Sequence, residues 1–243
     1  MIDLHSHILP GLDDGAQNLQ ESLAMARMAV DSGIRAMVAT PHCSDDRRQE
    51  VYEAWLLLKD ALKENEIPLR LFMGMEIFGT SETARMLYEG ELLTLNGSRY
   101  PLVEFSFRSD GEQETRILQS IRKAGFRPVV AHPERYLYVQ EDPRLINRWC
   151  QMGCLLQVNR GSLMGRFGHR AQAMAIALLN RGFAAAIASD AHSVRMRTPW
   201  MADIKKLLTR EFSGAYARQL LRDNPKKIIK NEDLHLGEPK WFQ

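Results

Sequence analysis

The sequence predicts a single α/β domain in which seven parallel strands and their helices form a barrel that is closed or nearly closed. Two observations favour this class. Seven short apolar runs alternate with amphipathic segments, and one junction pattern, a glycine followed by an apolar residue and a β-rich run, recurs four times. The chain has 243 residues, a length typical of one such barrel. An open, doubly wound sheet is the alternative.

The predicted strands are apolar on both faces, as in parallel sheets that helices cover. The segments between them have helical periodicity, since Leu19, Leu23 and Ala26 fall on one face of the first segment and Ile117 and Ile121 on one face of a later one. In chain order, the strands are expected within residues 2–4, 31–40, 69–73, 102–103, 123–132, 151–159 and 180–189. The left-handed position that ends a helix is assigned to Gly33, Gly125, Gly153 and Gly182.

Domain organisation is predicted to be simple. The sequence contains no Pro-rich or Gly/Ser-rich linker, so residues 1–225 are assigned to one domain. Residues 226–243 are basic and contain a proline, and nothing in them alternates like a strand. They are expected to form a C-terminal tail that packs on the domain or trails from it.

Composition excludes several classes of protein. Apolar residues make up 45% and charged residues 26%, which rules out intrinsic disorder. The net charge of +2 gives no general attraction for nucleic acid or an anionic membrane. The sequence has no apolar run of membrane-spanning length and no hydrophobic N-terminal signal, so we expect a cytoplasmic protein. Its three cysteines form no CxxC pair and are expected to stay reduced.

Polar side chains follow six of the seven predicted strands. Because parallel strands of β/α folds direct their carboxyl ends toward the active site, these side chains are expected to converge. The sequence leaves open whether Asp13 or Asp14 turns inward, and the sixth strand, ending at Asn159 and Arg160, brings no side chain of a metal-binding type. The converging residues are His5, His7, Asp14, His42, Glu76, Glu104, His132, Asp190 and His192.

This set of residues predicts bound cations, because so many neighbouring acids would otherwise repel one another. Imidazole and carboxylate ligands without thiolate favour manganese, iron or zinc, and there are too many of them for one ion. A cluster of two or three divalent ions is implied, and three ions would outweigh the charge of the four carboxylates and leave a positive charge that complements a phosphate monoester. It would also lower the pKa of bound water, so the predicted chemistry is hydrolysis.

Six motifs, taken together, resemble one known family. HSHILPGLDDG, TPH, GMEIF, VEF, AHPERY and SDAH follow one another between residues 5 and 192. They resemble the polymerase and histidinol phosphatase (PHP) family, and within it the manganese-dependent protein-tyrosine phosphatases of bacterial capsule and exopolysaccharide clusters. The resemblance covers residues 1 to about 225 and implies a distorted (β/α)7 barrel, the PHP fold, with three divalent ions. Manganese is the expected metal, with iron and zinc as alternatives.

The resemblance also implies a ligand set for each ion. The first ion is expected to bind His5, His7, Glu76 and Asp190. The second would share Glu76 and bind Glu104 and His132. The third is expected to bind Asp14, His42 and His192.

Two arginines match the phosphate-binding arginines of this subgroup, Arg135 in HPERY and Arg197 after SDAH. A surface salt bridge is the alternative interpretation of each. The implied mechanism is attack on phosphorus by a hydroxide that bridges metal ions, without a covalent enzyme intermediate. The implied substrate is a phosphotyrosine protein, namely a bacterial tyrosine kinase of polysaccharide export.

A cysteine mechanism is weighed because Cys154 and Arg160 have the C-x5-R spacing of cysteine-dependent tyrosine phosphatases. The residues between them alternate like a buried strand, which would place Cys154 a full strand length from the site. We therefore reject this mechanism. Arg160 is expected to pair with an acid rather than with substrate, and Cys43 to be a packed side chain.

Three other functions remain as alternatives at this point. The same metal site suits hydrolysis of a small phosphate ester such as histidinol phosphate, or of a nucleic-acid phosphodiester, which the +2 charge disfavours. The third alternative is a non-catalytic interaction domain that metal stabilises. The presence of all nine ligand residues argues against it.

Overall fold

Parallel strands build the core of the computed structural model, which describes residues 1–43 and 45–243. Two sheets are formed, one with the order β1-β2-β4 and the other with the order β3-β5-β6-β7-β8-β9, and every pairing is parallel. The strands are β1 (Ile2–Asp3), β2 (Ala36–Ala39), β3 (His42–Cys43), β4 (Arg70–Met73), β5 (Glu76–Phe78), β6 (Leu102–Glu104), β7 (Val129–Ala131), β8 (Leu155–Asn159) and β9 (Ala184–Ala188).

Two of the predicted strands are each followed by a further short strand. The second continues from β2 into β3 across Thr40 and Pro41, and the third from β4 into β5 across Gly74 and Met75. Proline has no N–H to donate to a ladder, so a break at Pro41 is expected on chemical grounds. The seven predicted strands are therefore all found, and β3 and β5 are two additional short strands that were not predicted.

The first and last strands close the barrel. The His7 N–H donates to the Ala191 carbonyl at 2.8 Å, and the Asp190 N–H donates to the His5 carbonyl at 3.0 Å. On the other side, the Thr40 N–H donates to the Ser6 carbonyl at 2.8 Å. The predicted α/β barrel is confirmed, and the open sheet is excluded.

Helices surround the strands. The predicted junction glycines all have positive φ, between 79° and 96°, so the left-handed helix ends are confirmed. Among the described residues, no helix combines the length and the apolarity that crossing a membrane requires. The α-helices are α1 (Leu19–Asp31), α2 (Arg48–Glu64), α3 (Thr83–Tyr88), α4 (Glu112–Lys123), α5 (Leu137–Glu141), α6 (Arg144–Gln151), α7 (Arg160–Leu163), α8 (His169–Asn180), α9 (Ala202–Glu211), α10 (Gly214–Arg218) and α11 (Asn224–Ile229). Leu95–Gly97 and Pro133–Arg135 form 3-10 turns, and Gln219–Asp223 forms a π-helical turn.

The apolar core consists of two clusters. Neighbouring strand residues such as Leu102 and Val103, or Leu155 and Leu156, belong to different clusters. Successive side chains of a strand point to opposite faces, so the two clusters lie on opposite faces of the strands. The larger cluster contains the apolar faces of the surrounding helices and is the outer one. The smaller cluster is therefore inside the barrel.

The C-terminal residues contribute to this inner cluster. Ile228, Ile229 and Leu234 are buried in it beside strand residues. Further along, the Phe242 ring stacks on Phe183 with 5.4 Å between centroids. The first residues of the expected tail thus form part of α11 and pack into the core. The domain boundary at residue 225 stays a prediction.

Candidate metal centre

The carboxyl ends of the strands bring the predicted ligand residues together. β1 leads into His5 and His7, β3 starts with His42, β5 starts with Glu76 and β6 ends with Glu104. β7 and β9 are followed by the remaining imidazoles and a carboxylate. Most of these side chains are fully buried, whereas His42 and Glu104 are partly exposed and Asp14 is exposed. In groups of three or four, each able to hold an ion, the structure brings together His5, His7, Asp14, His42, Glu76, Glu104, His132, Asp190 and His192.

Four donor atoms form the tightest part of the site. The Nε2 atoms of His5 and His7 lie 3.2 Å apart. Glu76 Oε2 lies 3.1 and 3.2 Å from them, and Asp190 Oδ1 lies 3.4 and 3.5 Å from them. Ligands about 2.1 Å from a tetrahedral ion lie about 3.4 Å from one another. These five distances are in the range expected for ligands of one cation, and His5, His7 and Asp190 together form a group that can hold one.

Two further groups of donors adjoin this one. His132 Nε2 lies 2.9 Å from Glu76 Oε1 and 3.9 Å from Glu104 Oε2. Asp14 Oδ1 lies 3.3 Å from His192 Nε2 and 3.5 Å from His42 Nε2. The two groups correspond to the second and third ligand sets that the family resemblance implied.

His42 belongs to both of these groups. Its Nδ1 atom lies 2.9 Å from Glu104 Oε1 and 3.1 Å from Glu76 Oε2, while its Nε2 atom faces Asp14. The resemblance assigned His42 to the third ion alone. In this arrangement it lies between the second and third ligand sets, with one nitrogen directed to each.

Several buried donor atoms have no hydrogen-bond partner of acceptable geometry among the described residues. They are Glu76 Oε2, Asp190 Oδ1, His132 Nδ1 and His192 Nε2. Unsatisfied buried polar atoms are costly, and they are rare in native proteins. Three of these four belong to the donor groups described above. Cations between the donors would satisfy those three, so the residues fit a metal cluster.

Electrostatics also favours positive charge in this centre. Burial alone would raise the pKa of Glu76, but the imidazoles of His5 and His132 hold it well below its usual range. Burial likewise opposes ionisation of Asp190, yet its neighbours keep its pKa well below normal. Burial and the adjacent His7 lower the pKa of His192 to about 3, which leaves its imidazole neutral, the form that binds metal.

Residues outside the predicted set hold the ligands in place. Asp13 Oδ2 accepts a hydrogen bond from His7 Nδ1 at 2.7 Å, so Asp13 orients an imidazole while Asp14 faces the cluster. Gln157 Oε1 lies 2.9 Å from His5 Nδ1, and Asn159 Nδ2 donates to Asp190 Oδ2 at 2.5 Å. Such partners fix the tautomer and orientation of metal ligands.

Sequence reasoning assigned no role to either amide because the sixth strand brings no side chain of a metal-binding type. The available signal was their spacing. Gln157 and Asn159 are two residues apart on a strand whose other members are apolar, so they share one face. The strand thus takes part in the site through hydrogen bonds rather than through ligands.

The backbone is strained at three site residues. His132, Asp190 and Arg197 have φ of 35°, 51° and 51°, in the left-handed region that side chains with a Cβ rarely adopt. Strained residues of this kind are typical of functional sites, where the surrounding structure over-determines them. The Asp190 N–H bond to the His5 carbonyl, at 3.0 Å, and the His192 N–H bond to the Arg197 carbonyl, at 2.8 Å, hold this conformation.

Both predicted arginines lie against the metal centre. Arg197 Nη2 lies 2.5 Å from Asp190 Oδ1, and Arg135 Nη1 lies 3.4 Å from Asp190 Oδ2. The Arg135 guanidinium is also 4.2 Å from the centre of the Phe167 ring and 4.7 Å from that of Phe107. Neither arginine forms the surface salt bridge that was the alternative interpretation, because Asp190 is buried.

The remaining sequence predictions concern Arg160 and the cysteines. Arg160 forms a bidentate ion pair with Asp203, so its pairing with an acid is confirmed. The buried Cys43 donates its S–H to the Asp45 carbonyl. Cys154 precedes β8 and Arg160 follows it, and burial raises the pKa of Cys154 to about 12. A thiol with that pKa is protonated at neutral pH and is a poor nucleophile.

Comparison with known proteins gives consistent matches over the whole chain. The family profile described as "Capsular polysaccharide synthesis, CpsB/CapC" matches residues 1–230. Tyrosine-protein phosphatase YwqE of Bacillus subtilis is 34% identical, over 99% of this chain and 96% of its own. Tyrosine-protein phosphatase CpsB of Streptococcus pneumoniae is 32% identical, over 96% of this chain and 99% of its own. One chain from crystal structures of YwqE and CpsB, described as unique metal-dependent tyrosine phosphatases, superposes on this chain with a TM-score of 0.93. The two chains are 33% identical, and the match covers 100% of each.

Proposed function

We propose that this chain, which belongs to the CpsB/CapC family of capsular polysaccharide synthesis, is a metal-dependent phosphatase that hydrolyses phosphotyrosine in proteins. The observation that carries the proposal is a buried set of four donor atoms, in which the Nε2 atoms of His5 and His7 lie 3.2 Å apart and 3.1 to 3.5 Å from the oxygens of Glu76 and Asp190. The relatives named above are tyrosine phosphatases, and the donor set is of the type that hydrolytic metal sites use.

Three divalent ions, manganese in the first place, are proposed to occupy the site, in the ligand sets that the motifs implied. His42 is proposed to serve the second and third ions through its two nitrogens. When bound, such ions would neutralise phosphate charge and lower the pKa of a coordinated water. Asp13 and Gln157 keep the imidazoles of His7 and His5 in the tautomer whose Nε2 lone pair faces the centre.

Arg135 and Arg197 are proposed to bind the phosphoryl oxygens. Their guanidinium groups reach the centre from two sides and meet at Asp190. A planar guanidinium donates two parallel hydrogen bonds to phosphate, which fixes the orientation of the phosphorus. The tyrosine phenolate has a pKa of about 10 and leaves without a strong general acid, so we assign that role to no side chain.

The proposed substrate is a cytoplasmic phosphotyrosine segment of a bacterial tyrosine kinase that acts in capsule or exopolysaccharide synthesis. The support for this choice is the capsule family to which the chain belongs. The net charge of +2 disfavours nucleic acid as the substrate.

Turnover assays with defined metals test the proposal. Protein loaded with Mn²⁺ is assayed on a phosphotyrosine peptide, on histidinol phosphate and on a dinucleotide, and each assay is repeated with a chelator. We expect hydrolysis of the phosphotyrosine peptide alone and its loss with the chelator. His42→Ala is the test variant, and His235→Ala is its matched control, because His235 is exposed and outside the donor groups. Preference for either other substrate, or activity that survives the chelator, would contradict the proposal.

A further inference from the structure

A groove starts beside Arg135 and leads away from the candidate metal centre. It has a volume of about 460 Å³, and its lining includes Phe107, Leu137, Phe167 and Arg170. The Phe107 ring lies 6.0 Å from the ring of His132, measured between centroids. The groove therefore opens directly from the place where the phosphoryl group is proposed to bind.

The inner part of the groove is apolar and held in place. Phe107 is 39% exposed and Leu137 is 36% exposed, although both are large apolar residues. The Leu137 N–H donates to the Phe107 carbonyl at 3.0 Å, which joins the two segments that carry them. The Arg135 guanidinium lies against the rings of Phe107 and Phe167 and so connects the groove to the metal centre. Apolar surface exposed at the entrance to a polar site is typical of a binding region.

The outer part of the groove is basic. His169 and Arg170 line it, and Arg166 and Arg108 are exposed on the two segments that border it. None of the lining residues in the described part of the chain carries a carboxylate. Within residues 1–43 and 45–243, Arg170 forms no ion pair. The outer part therefore attracts negative charge.

We infer that this groove binds the polypeptide on one side of the phosphotyrosine and selects sequences with an acidic side chain close to that tyrosine. The inference rests on the proposed function, since it assigns a place to the chain that carries the phosphotyrosine. Phe107, Leu137 and Phe167 contact the apolar parts of the peptide, and Arg170 contacts its acidic side chain. Charge complementarity at an interface contributes chiefly to specificity.

Binding of two phosphonate peptides tests the inference without turnover. The peptides carry a non-hydrolysable phosphotyrosine analogue and differ only in having glutamate or lysine at the flanking positions. Titration calorimetry on Mn²⁺-loaded wild-type protein is expected to show about tenfold tighter binding of the glutamate peptide. In Arg170→Glu this ratio is expected to fall about tenfold, and Leu137→Ser is expected to weaken both peptides by about threefold.

Arg70→Glu is the matched control, because Arg70 is an exposed arginine at the start of β4, on the opposite end of the barrel. It makes the same change of net charge and is expected to keep the wild-type ratio. Equal binding of the two peptides by wild-type protein, or a ratio that Arg170→Glu leaves unchanged, would overturn the inference.

The outcomes separate this inference from the proposed function. Hydrolysis of the matching phosphotyrosine peptides at equal rates, together with equal binding of the phosphonates, would contradict the role of the groove and support the proposed phosphatase activity. Discrimination between the phosphonates without any hydrolysis of phosphotyrosine would support the groove as a peptide site and contradict the phosphatase.

Discussion

The two ends of the barrel differ in chemistry although the same strands form both. The carboxyl end gathers nine potential metal ligands and two arginines. At the amino end, Ile228, Ile229 and Leu234 from the C-terminal residues pack into the inner apolar cluster. The contrast indicates that the residues proposed to act in hydrolysis lie at the carboxyl end, whereas the packing at the amino end serves stability.

The largest expected effect is at the carboxyl end. Glu76 faces His5, His7, His42 and His132 and is the proposed shared ligand, so Glu76→Gln removes a charge that no neighbour replaces. We expect kcat/KM for a phosphotyrosine peptide to fall about a thousandfold in a variant that still folds, as its circular dichroism spectrum would show. Activity within tenfold of wild type would break the contrast between the two ends.

The matching change at the amino end is Ile228→Ala. Ile228 is fully buried in the inner cluster, so truncation leaves a cavity and lowers the free energy of unfolding by about 3 kcal/mol. Denaturant unfolding measures this loss. The kcat/KM of the folded protein is expected to stay within about twofold of wild type. A large loss of activity without a loss of stability would show that the two ends are coupled.

Arg135→Lys tests the phosphate-binding role proposed for an arginine at the carboxyl end. Lysine keeps the charge but loses the two parallel donors and the planar contact with the phenylalanine rings. We expect kcat/KM to fall about a hundredfold, with steady-state kinetics as the measurement. Arg70→Lys, which changes an exposed arginine at the other end, is the control and is expected to have no effect.

Asp13→Asn tests the support around the ligands. Asparagine can still accept from His7 Nδ1, but without the negative charge that raises the basicity of the imidazole. The affinity for Mn²⁺, measured by titration calorimetry, is expected to fall about tenfold. The exposed Asp60→Asn is the control. Unchanged affinity in Asp13→Asn would show that His7 needs no carboxylate partner.

The smallest effect is expected for Cys154→Ala. Cys154 lines a cavity of about 190 Å³ at the amino end, with Phe183 and Trp241, and β8 separates it from the site. A five-residue strand spans about 16 Å, so the thiol does not reach a phosphate that Arg135 holds. Activity on phosphotyrosine is expected to stay within about twofold of wild type. An inactive, folded variant would favour the cysteine mechanism.

Much of the fold was predictable because it depends on local patterns. The four junction glycines and the apolar strands each follow from short-range physics, and all are found where predicted. The family resemblance is confirmed as well. It could be recognised because each of its motifs is a short, unbroken stretch of sequence. The short strands β3 and β5 were not predicted, although Pro41, which has no N–H to donate, marks the interruption before β3.

The site was predictable where strand order alone positions residues. The ligand residues converge because each follows a parallel strand, whereas the choice between Asp13 and Asp14 depended on the loop conformation. The sequence also did not predict Gln157 and Asn159, whose roles come from contacts with residues far away in the chain. For the same reason the sequence did not predict the burial of Ile228, which depends on the path of the last 20 residues or so across the barrel.

The central claim, a metal cluster confined to the carboxyl end, is tested most directly by anomalous diffraction from crystals grown with Mn²⁺. The account predicts peaks between the donor atoms of His5, His7, Glu76 and Asp190, and further peaks beside His132 and His192. Crystals with the same side-chain arrangement and no anomalous peak among them would contradict it.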